Sequence, residues 1–291
     1  MANDPVLVPS SDGVRIALHD LGGPDDEMAP VIFFSHATGF HGLVWRPMAA
    51  HLADRFRCIA IDFRGHGFSG VPEGLSMAWT GMADDVEAAL DSGAFPTDRV
   101  YGVGHSMGGA ALALAAARRP NAFRSLWLYE PVIMAGDPGP LGIVEGQNPM
   151  SAAAERRRER FDSLEHAYEN YRSKPPLNEL DPEALRAYVE GGFAPQPDGS
   201  VLLRCKPQTE AEVFRRAGGS GAGQVLDQIT IPVAIVAGEP EGFGPVAFAP
   251  ATAEALPNGT LIQRPQLRHF GPQEDPAGMA DDLADWIARH P

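Results

Sequence analysis

Gly104-His105-Ser106-Met107-Gly108 sets one serine among glycines, where an apolar run meets an alanine-rich segment. A G-x-S-x-G pentapeptide with a strand before it and a helix after it raises the serine on a sharp, strained turn. Residues two away from the serine must lack bulk, which accounts for Gly104 and Gly108. Such a turn leaves the hydroxyl oxygen exposed at its tip, beside the N–H groups of a helix N-terminus. The N–H of Met107 can then hold a developing oxyanion. The chemistry indicated is attack of Ser106 on a carbonyl carbon. A serine hydroxyl is a weak nucleophile at neutral pH, so a base must take its proton, and a carboxylate must orient that base.

These groups need a frame. "VIFFSH" (31–36), "FRCIAID" (56–62), "RVYGVGH" (99–105), "FRSLWLYE" (123–130) and "PVAIVAG" (232–238) are short apolar runs that stop at Gly, Pro, His or an acid. They are too short for buried helices and rich in Val, Ile and aromatics, so they read as strands buried on both faces. Helical patterns are expected at 45–54, 78–91, 107–119, 247–256 and 277–289. This alternation predicts an α/β fold, a mostly parallel sheet flanked by helices. "VLV" and "VRIALHD" around "PSSDG" read as a hairpin on the sheet edge.

The alternation breaks between about 135 and 228. One long helix is expected over 151–172. A second is "DPEALRAYVEGG", with Asp181 as N-cap, Pro182 in the first turn and Gly191 as stop, and "AEVFRRA" is a third. The interval reads as a helical insertion, either a peripheral bundle or a lid over a pocket. "RRRER" (156–160), surrounded by Glu155, Glu159, Asp162 and Glu165, reads as a solvated helix face.

Taken in order, "SHATGF", "DFRGHGFSG", "GHSMGG" and "RHFGPQEDP" resemble the motifs of the α/β-hydrolase superfamily. The resemblance implies a core of residues 1–134 and 229–291 carrying a helical cap, or lid, at 135–228. It also implies that the base is His269, in the loop between "GTLIQRP" and the final helix. The acid should lie between serine and histidine in chain order. The usual family position, three residues beyond the glycine of "PVAIVAG", holds Glu241, and no Asp occurs between Ile231 and Pro257. The other family position is Glu130 in "LYEPVIM". Glu130 is taken as the acid, with Glu241 as its alternative and Glu239 as a third. Where the family has His-Gly-x, this chain has His36-Ala37-Thr38, which makes the Thr38 N–H the second oxyanion donor. His105, His36 and His66 read as packing or loop-bracing residues. Arg64 reads as paired with Asp62 or another acid. Phe40, Trp45, Met107, Phe193 and Phe243 are candidate pocket lining.

Lys plus Arg number 23 against 38 Asp plus Glu, a net charge of −15 that disfavours nucleic acid and anionic membranes. No apolar run reaches the roughly 18 to 20 residues of a membrane span. "MANDPVLVPSSDG" has no basic stretch leading into a long apolar block, so no secretory signal is expected. Cys58 and Cys205 form no CxxC pair, which favours two buried thiols over a metal site and suits a cytoplasmic protein. No metal or organic cofactor is called for, and the partner expected is a small-molecule substrate; oligomeric state is left open. With Ser106, His269 and a glutamate, the resemblance implies a serine hydrolase of a small carboxylic ester or lactone. A C–C bond hydrolase or a cofactor-free perhydrolase would use the same triad, and a non-catalytic small-ligand receptor would keep the fold alone. Haloalkane dehalogenases and epoxide hydrolases carry Asp at the turn and are disfavoured.

Overall fold

Runs of Val, Ile, Ala and aromatics with both faces buried make the centre of the sheet. The computed structural model describes residues 4–26, 28–135, 146, 148–239 and 244–291. In chain order its sheet strands are β1 (Val6–Pro9), β2 (Arg15–Gly22), β3 (Val31–Ser35), β4 (Arg57–Asp62), β5 (Val100–His105) and β6 (Ser125–Tyr129). The chain returns to this sheet after an insert. Helices α1 (Arg46–Ala50), α2 (Trp79–Asp91) and α3 (Met107–Arg118) connect these strands. The insert carries α4 (Pro149–Glu155), β7 (Arg160–Phe161), α5 (Leu164–Arg172), α6 (Pro182–Gly192), β8 (Phe193–Pro195), β9 (Val201–Leu203) and α7 (Pro207–Arg215). Then follow β10 (Val233–Ala237), α8 (Ala249–Ala255), β11 (Gly259–Gln263), α9 (Gly271–Glu274) and α10 (Pro276–Arg289).

The described residues form an eight-stranded sheet ordered β1-β2-β4-β3-β5-β6-β10-β11. The β1–β2 and β2–β4 pairs are antiparallel, and the remaining pairs are parallel. The edge hairpin expected from "PSSDG" is therefore present. One core layer packs α2, α3 and α8 on one face of the sheet. The other packs α1 and α10 on the opposite face. Parallel register aligns the strand ends: Ser35 pairs with Gly104, His105 with Tyr129, and Tyr129 with Val236. Residues just past these positions gather at the carboxyl edge of the sheet, where open α/β sheets place their sites.

Glycine lets α3 start directly from β5. A Cβ on Gly104 would stand 2.7 Å from the Gly109 Cα, and one on Gly108 would stand 2.5 Å from the Ser35 carbonyl oxygen.

The insert differs from expectation in two ways. The single helix over 151–172 is two helices, α4 and α5, separated by β7. Ser163 is the reason on the α5 side: its hydroxyl caps that helix by accepting from the His166 N–H at 3.1 Å. Between the two helices, Phe161 is buried on β7, which joins β9 and β8 in a small antiparallel sheet ordered β7-β9-β8. The insert is thus not purely helical. The "RRRER" run is also not a helix face, because Arg157 turns inward. Its guanidinium pairs with Glu210 of α7 and donates to the Tyr188 hydroxyl at 2.5 Å and the Tyr171 hydroxyl at 3.2 Å. By contrast, Asp181 caps α6 as expected, accepting from the Glu183 N–H at 2.8 Å and the Ala184 N–H. Trp79 of α2 ties the insert to the core, donating to the Val213 carbonyl at 3.0 Å. Among the described residues, no helix is long and apolar enough to cross a membrane.

Candidate active site

Ser106 stands between β5 and α3 with φ 55° and ψ −115°, a conformation that costs a non-glycine residue of order 1–3 kcal/mol. The backbone of β6 and of the segment after it holds the residue there. Its N–H donates to the Tyr129 carbonyl at 3.0 Å, and its own carbonyl accepts from the Val132 N–H at 3.2 Å. Ser106 is 8% exposed, and among the described residues its hydroxyl makes no hydrogen bond. Met107 is the first residue of α3, so its N–H has no intrahelical acceptor.

Glu130 follows the end of β6 with φ 40°, a second strained non-glycine residue at the same sheet edge. Its N–H donates to the Val236 carbonyl at 2.8 Å, which carries the side chain in under the β10 loop. There one carboxylate oxygen accepts from the Gly238 N–H at 3.0 Å. The other lies 2.6 Å from Nδ1 of His269. Gly238 is glycine for this reason: a Cβ there would fall 2.9 Å from the Glu130 carboxylate and 2.5 Å from the Leu267 carbonyl oxygen. With Glu130 accepting, the proton of a neutral His269 sits on Nδ1, and Nε2 is left as a free lone pair. The His269 side chain is 33% exposed while Glu130 is 3% exposed, so the pair has one buried end and one open end.

The loop that carries His269 is fastened on both sides. The Tyr129 hydroxyl donates to the Arg268 carbonyl at 2.6 Å. The Glu274 carboxylate accepts from the Arg268 N–H at 2.9 Å and the Phe270 N–H at 3.1 Å. His105 Nε2 donates to the His269 carbonyl at 2.8 Å. Tyr129, Glu274 and Gly238 had no assigned part in the sequence reading. The available signal was position: each lies within a few residues of Glu130, Glu239 or His269.

The other sequence-derived residues separate clearly. Glu239 gives its backbone N–H to the Leu267 carbonyl at 2.7 Å. Among the described residues, the carboxylate bonded to His269 is that of Glu130 alone. Glu241 and Phe243 lie outside the described residues. His36 braces the loop of Thr38, with Nδ1 donating to the Ala37 carbonyl at 2.8 Å and Nε2 accepting the Phe63 N–H at 3.0 Å. Burial holds His36 and His105 well below the ordinary histidine range, and brings His41 and His66 down to about 4. Arg64 pairs with Asp85 at 2.8 Å and not with Asp62. Asp62 instead takes Nε2 of His19 at 2.8 Å, the Gly42 N–H at 2.6 Å and the Phe68 N–H at 2.7 Å. Burial alone would raise the Asp62 pKa, but the His19 hydrogen bond and charge outweigh it and hold the carboxyl well below its usual range.

Of the candidate lining residues, Phe40 is at the site, its ring 5.2 Å from Phe270 and 6.4 Å from His105. Trp45 and Phe193 are not. Trp45 stacks on Phe34 in the core, and Phe193 packs on Phe161 inside the insert. Met107 is fully buried. A surface groove of about 440 Å³ lies away from Ser106, between α1 and α6. Among the described residues, no group of three or more His, Cys, Asp or Glu side chains is arranged to hold a metal ion.

Residues 30–276 match the alpha/beta hydrolase fold family. A bifunctional esterase/perhydrolase from Acinetobacter calcoaceticus is 29% identical, over 96% of this chain and 98% of that protein. A 2-(acetamidomethylene)succinate hydrolase from Mesorhizobium japonicum is 28% identical, over 89% of this chain and 88% of its own length. Among solved structures, an E-2-(acetamidomethylene)succinate hydrolase superposes with a TM-score of 0.77 at 23% identity, covering 98% of this chain and 99% of that one. An esterase from Thermogutta terrifontis gives a TM-score of 0.73 at 19% identity, covering 99% of this chain and all of the other.

Proposed function

The chain belongs to the alpha/beta hydrolase fold family, and from that premise we propose that it is a serine hydrolase cleaving a small carboxylic ester or lactone through an acyl-enzyme. Ser106 is the nucleophile, His269 the base and Glu130 the orienting acid. The N–H groups of Met107 and Thr38 form the oxyanion hole. The observation that carries this reading is the 2.6 Å contact between Glu130 and His269 Nδ1, in a loop fastened beside the strained Ser106.

Nε2 of His269 removes the hydroxyl proton as Ser106 Oγ bonds to the carbonyl carbon. The negative charge moves to the carbonyl oxygen, where fixed N–H donors stabilise it without reorganising. Glu130 stabilises the imidazolium that forms but keeps its own charge. The C–O bond to the leaving alcohol then breaks as His269 returns the proton to that oxygen; in a lactone the alcohol stays tethered. Water, deprotonated by His269, attacks the acyl-enzyme and releases the acid and free Ser106.

We read residues 1–134 and 229–291 as the catalytic core and 135–228 as its cap, which closes over a small-molecule substrate. The net charge of −15 argues against nucleic acid or an anionic membrane as partner. A cytoplasmic location goes with this reading, since Cys58 and Cys205 are both free and buried.

A second reading is favoured by the esterase/perhydrolase relative, which spans nearly the whole chain. In it, hydrogen peroxide replaces water in the second half-reaction and releases a peracid. A C–C bond hydrolase remains the other use of the same triad. The hydrolase names among full-length relatives weigh against a receptor.

The test is a fluorophosphonate label on the wild type and Ser106→Ala, read by intact mass, beside turnover of p-nitrophenyl butyrate, a γ-lactone and a dioxo acid, with and without peroxide. A stoichiometric adduct lost in Ser106→Ala, together with ester or lactone turnover, is expected. A wild type that takes no label would end the proposal.

A further inference from the structure

His105 is fully buried, immediately precedes Ser106, and reaches the loop of His269 rather than packing idly. Its Nε2 lies 2.8 Å from the His269 carbonyl oxygen. A carbonyl can only accept, so Nε2 carries the proton and His105 is neutral in this tautomer. Burial favours that state, as does the neighbouring His269. The ring is also packed in place, with centroids 4.9 Å from His269, 5.8 Å from Phe270 and 5.9 Å from Tyr129.

This contact is unlike the other fastenings of the loop. Tyr129 and Glu274 hold the residues flanking His269, and the Tyr129 carbonyl also accepts the Ser106 N–H, but neither bonds the backbone of His269 itself. His105 alone among them joins the residue next to the serine to the backbone of the histidine. The bond therefore spans the two elements whose separation decides whether Nε2 of His269 can reach the hydroxyl.

Resting on the reading of Ser106 and His269 given above, we propose that His105 is a positioning residue: its hydrogen bond to the His269 carbonyl sets the distance between nucleophile and base. Losing it lets the loop drift outward, and a displacement near 1 Å at such a site costs about 100-fold in rate. Proton transfer suffers, whereas ground-state binding does not.

Three variants separate the hydrogen bond from packing. His105→Phe keeps an aromatic ring without the donor. His105→Gln places an amide N–H the same number of bonds from Cα as Nε2, and His105→Asn places it one bond short. With p-nitrophenyl butyrate, His105→Phe is expected to lose about tenfold to a hundredfold in kcat with KM little changed. Fluorophosphonate labelling of Ser106 should slow in the same proportion, and His105→Gln should restore most of both. Wild-type rates in His105→Phe overturn the proposal. So does a folded His105→Gln, with the wild-type melting temperature, that is no faster than His105→Asn; this comparison decides even where His105→Phe fails to fold. A wild type that neither labels nor turns over removes the reading of Ser106 itself, and this proposal with it.

Discussion

The Glu130 carboxylate joins two loops at once, one oxygen 2.6 Å from His269 Nδ1 and the other 3.0 Å from the Gly238 nitrogen. A neutral amide in its place can present its N–H₂ to Nδ1 and favour the wrong tautomer, with the proton on Nε2. Glu130→Gln is therefore expected to lower kcat by about 10³- to 10⁴-fold. Glu241→Gln, assayed beside it, should keep activity within a few-fold. A large loss in the second variant and none in the first would transfer the acid to the β10 loop.

Gly238 gives an independent handle on the same carboxylate. Gly238→Ala adds a Cβ that cannot coexist with the present positions of Glu130 and the Leu267 carbonyl. The neighbours must shift, at a stability cost of about 1–3 kcal/mol. Because Glu130 is one of them, kcat should fall more than KM changes. Urea unfolding and steady-state kinetics on the same preparation check both. A variant of unchanged stability and rate would show that the two loops part freely.

What the sequence made legible follows from how local each signal is. Strands such as "VAIVA" are visible because both their faces are buried, so every residue is apolar. The turn at Ser106 is visible because the close approach of α3 to β3 and β5 can be met only by residues without Cβ. The resemblance to α/β-hydrolases, with no Asp between Ile231 and Pro257, put Glu130 ahead of Glu241, and the fold brings it to His269. The insert was harder to read. Its Arg157 finds its partner 53 residues later, so a charge run that looked solvated conceals a part-buried ion pair. Ser163 read as a helix interior because nothing local separates a cap from a mid-helix serine until Phe161 finds its strand partner. The bond from His105 to His269 joins residues 164 apart and had no local signal at all.

Acid should unfold the protein from well above the carboxylate range. His41 and His66 are buried and neutral, with pKa values brought down to about 4, whereas the unfolded chain titrates them near 6.5. Between these limits the unfolded state binds more protons, so stability is greatest above about pH 6.5 and falls as pH drops toward 4. Each such histidine contributes a slope of up to about 1.4 kcal/mol per pH unit. His36 and His105, shifted in the same direction, steepen it. Asp62, held low by His19, adds a loss only at lower pH, as it protonates. Urea midpoints from pH 7.5 to 4.5 measure the slope, and His66→Gln should flatten it. A flat profile across that range would contradict the burial of these rings.

The ion pair of Arg157 with Glu210 offers the last test, because it ties α7 to the rest of the insert beside the Thr38 loop of the core. A Cβ on Gly39 would meet the Glu210 carboxylate at 2.4 Å and Arg157 Nη1 at 3.2 Å, so the pair lies directly against that loop. The side chains are 18% and 8% exposed, and the guanidinium is also bound by Tyr171 and Tyr188. Removing one member strands the other charge, a loss of about 3–5 kcal/mol for a buried pair. Arg157→Met should approach that figure in urea unfolding. Arg157→Met/Glu210→Met removes both charges, fills the space with apolar atoms of similar length, and should recover much of the loss. Single and double variants with equal stability would mean that water already reaches the pair. The Thr38 loop should then be no better held with the ion pair than without it, which the kcat of the double variant on p-nitrophenyl butyrate would report.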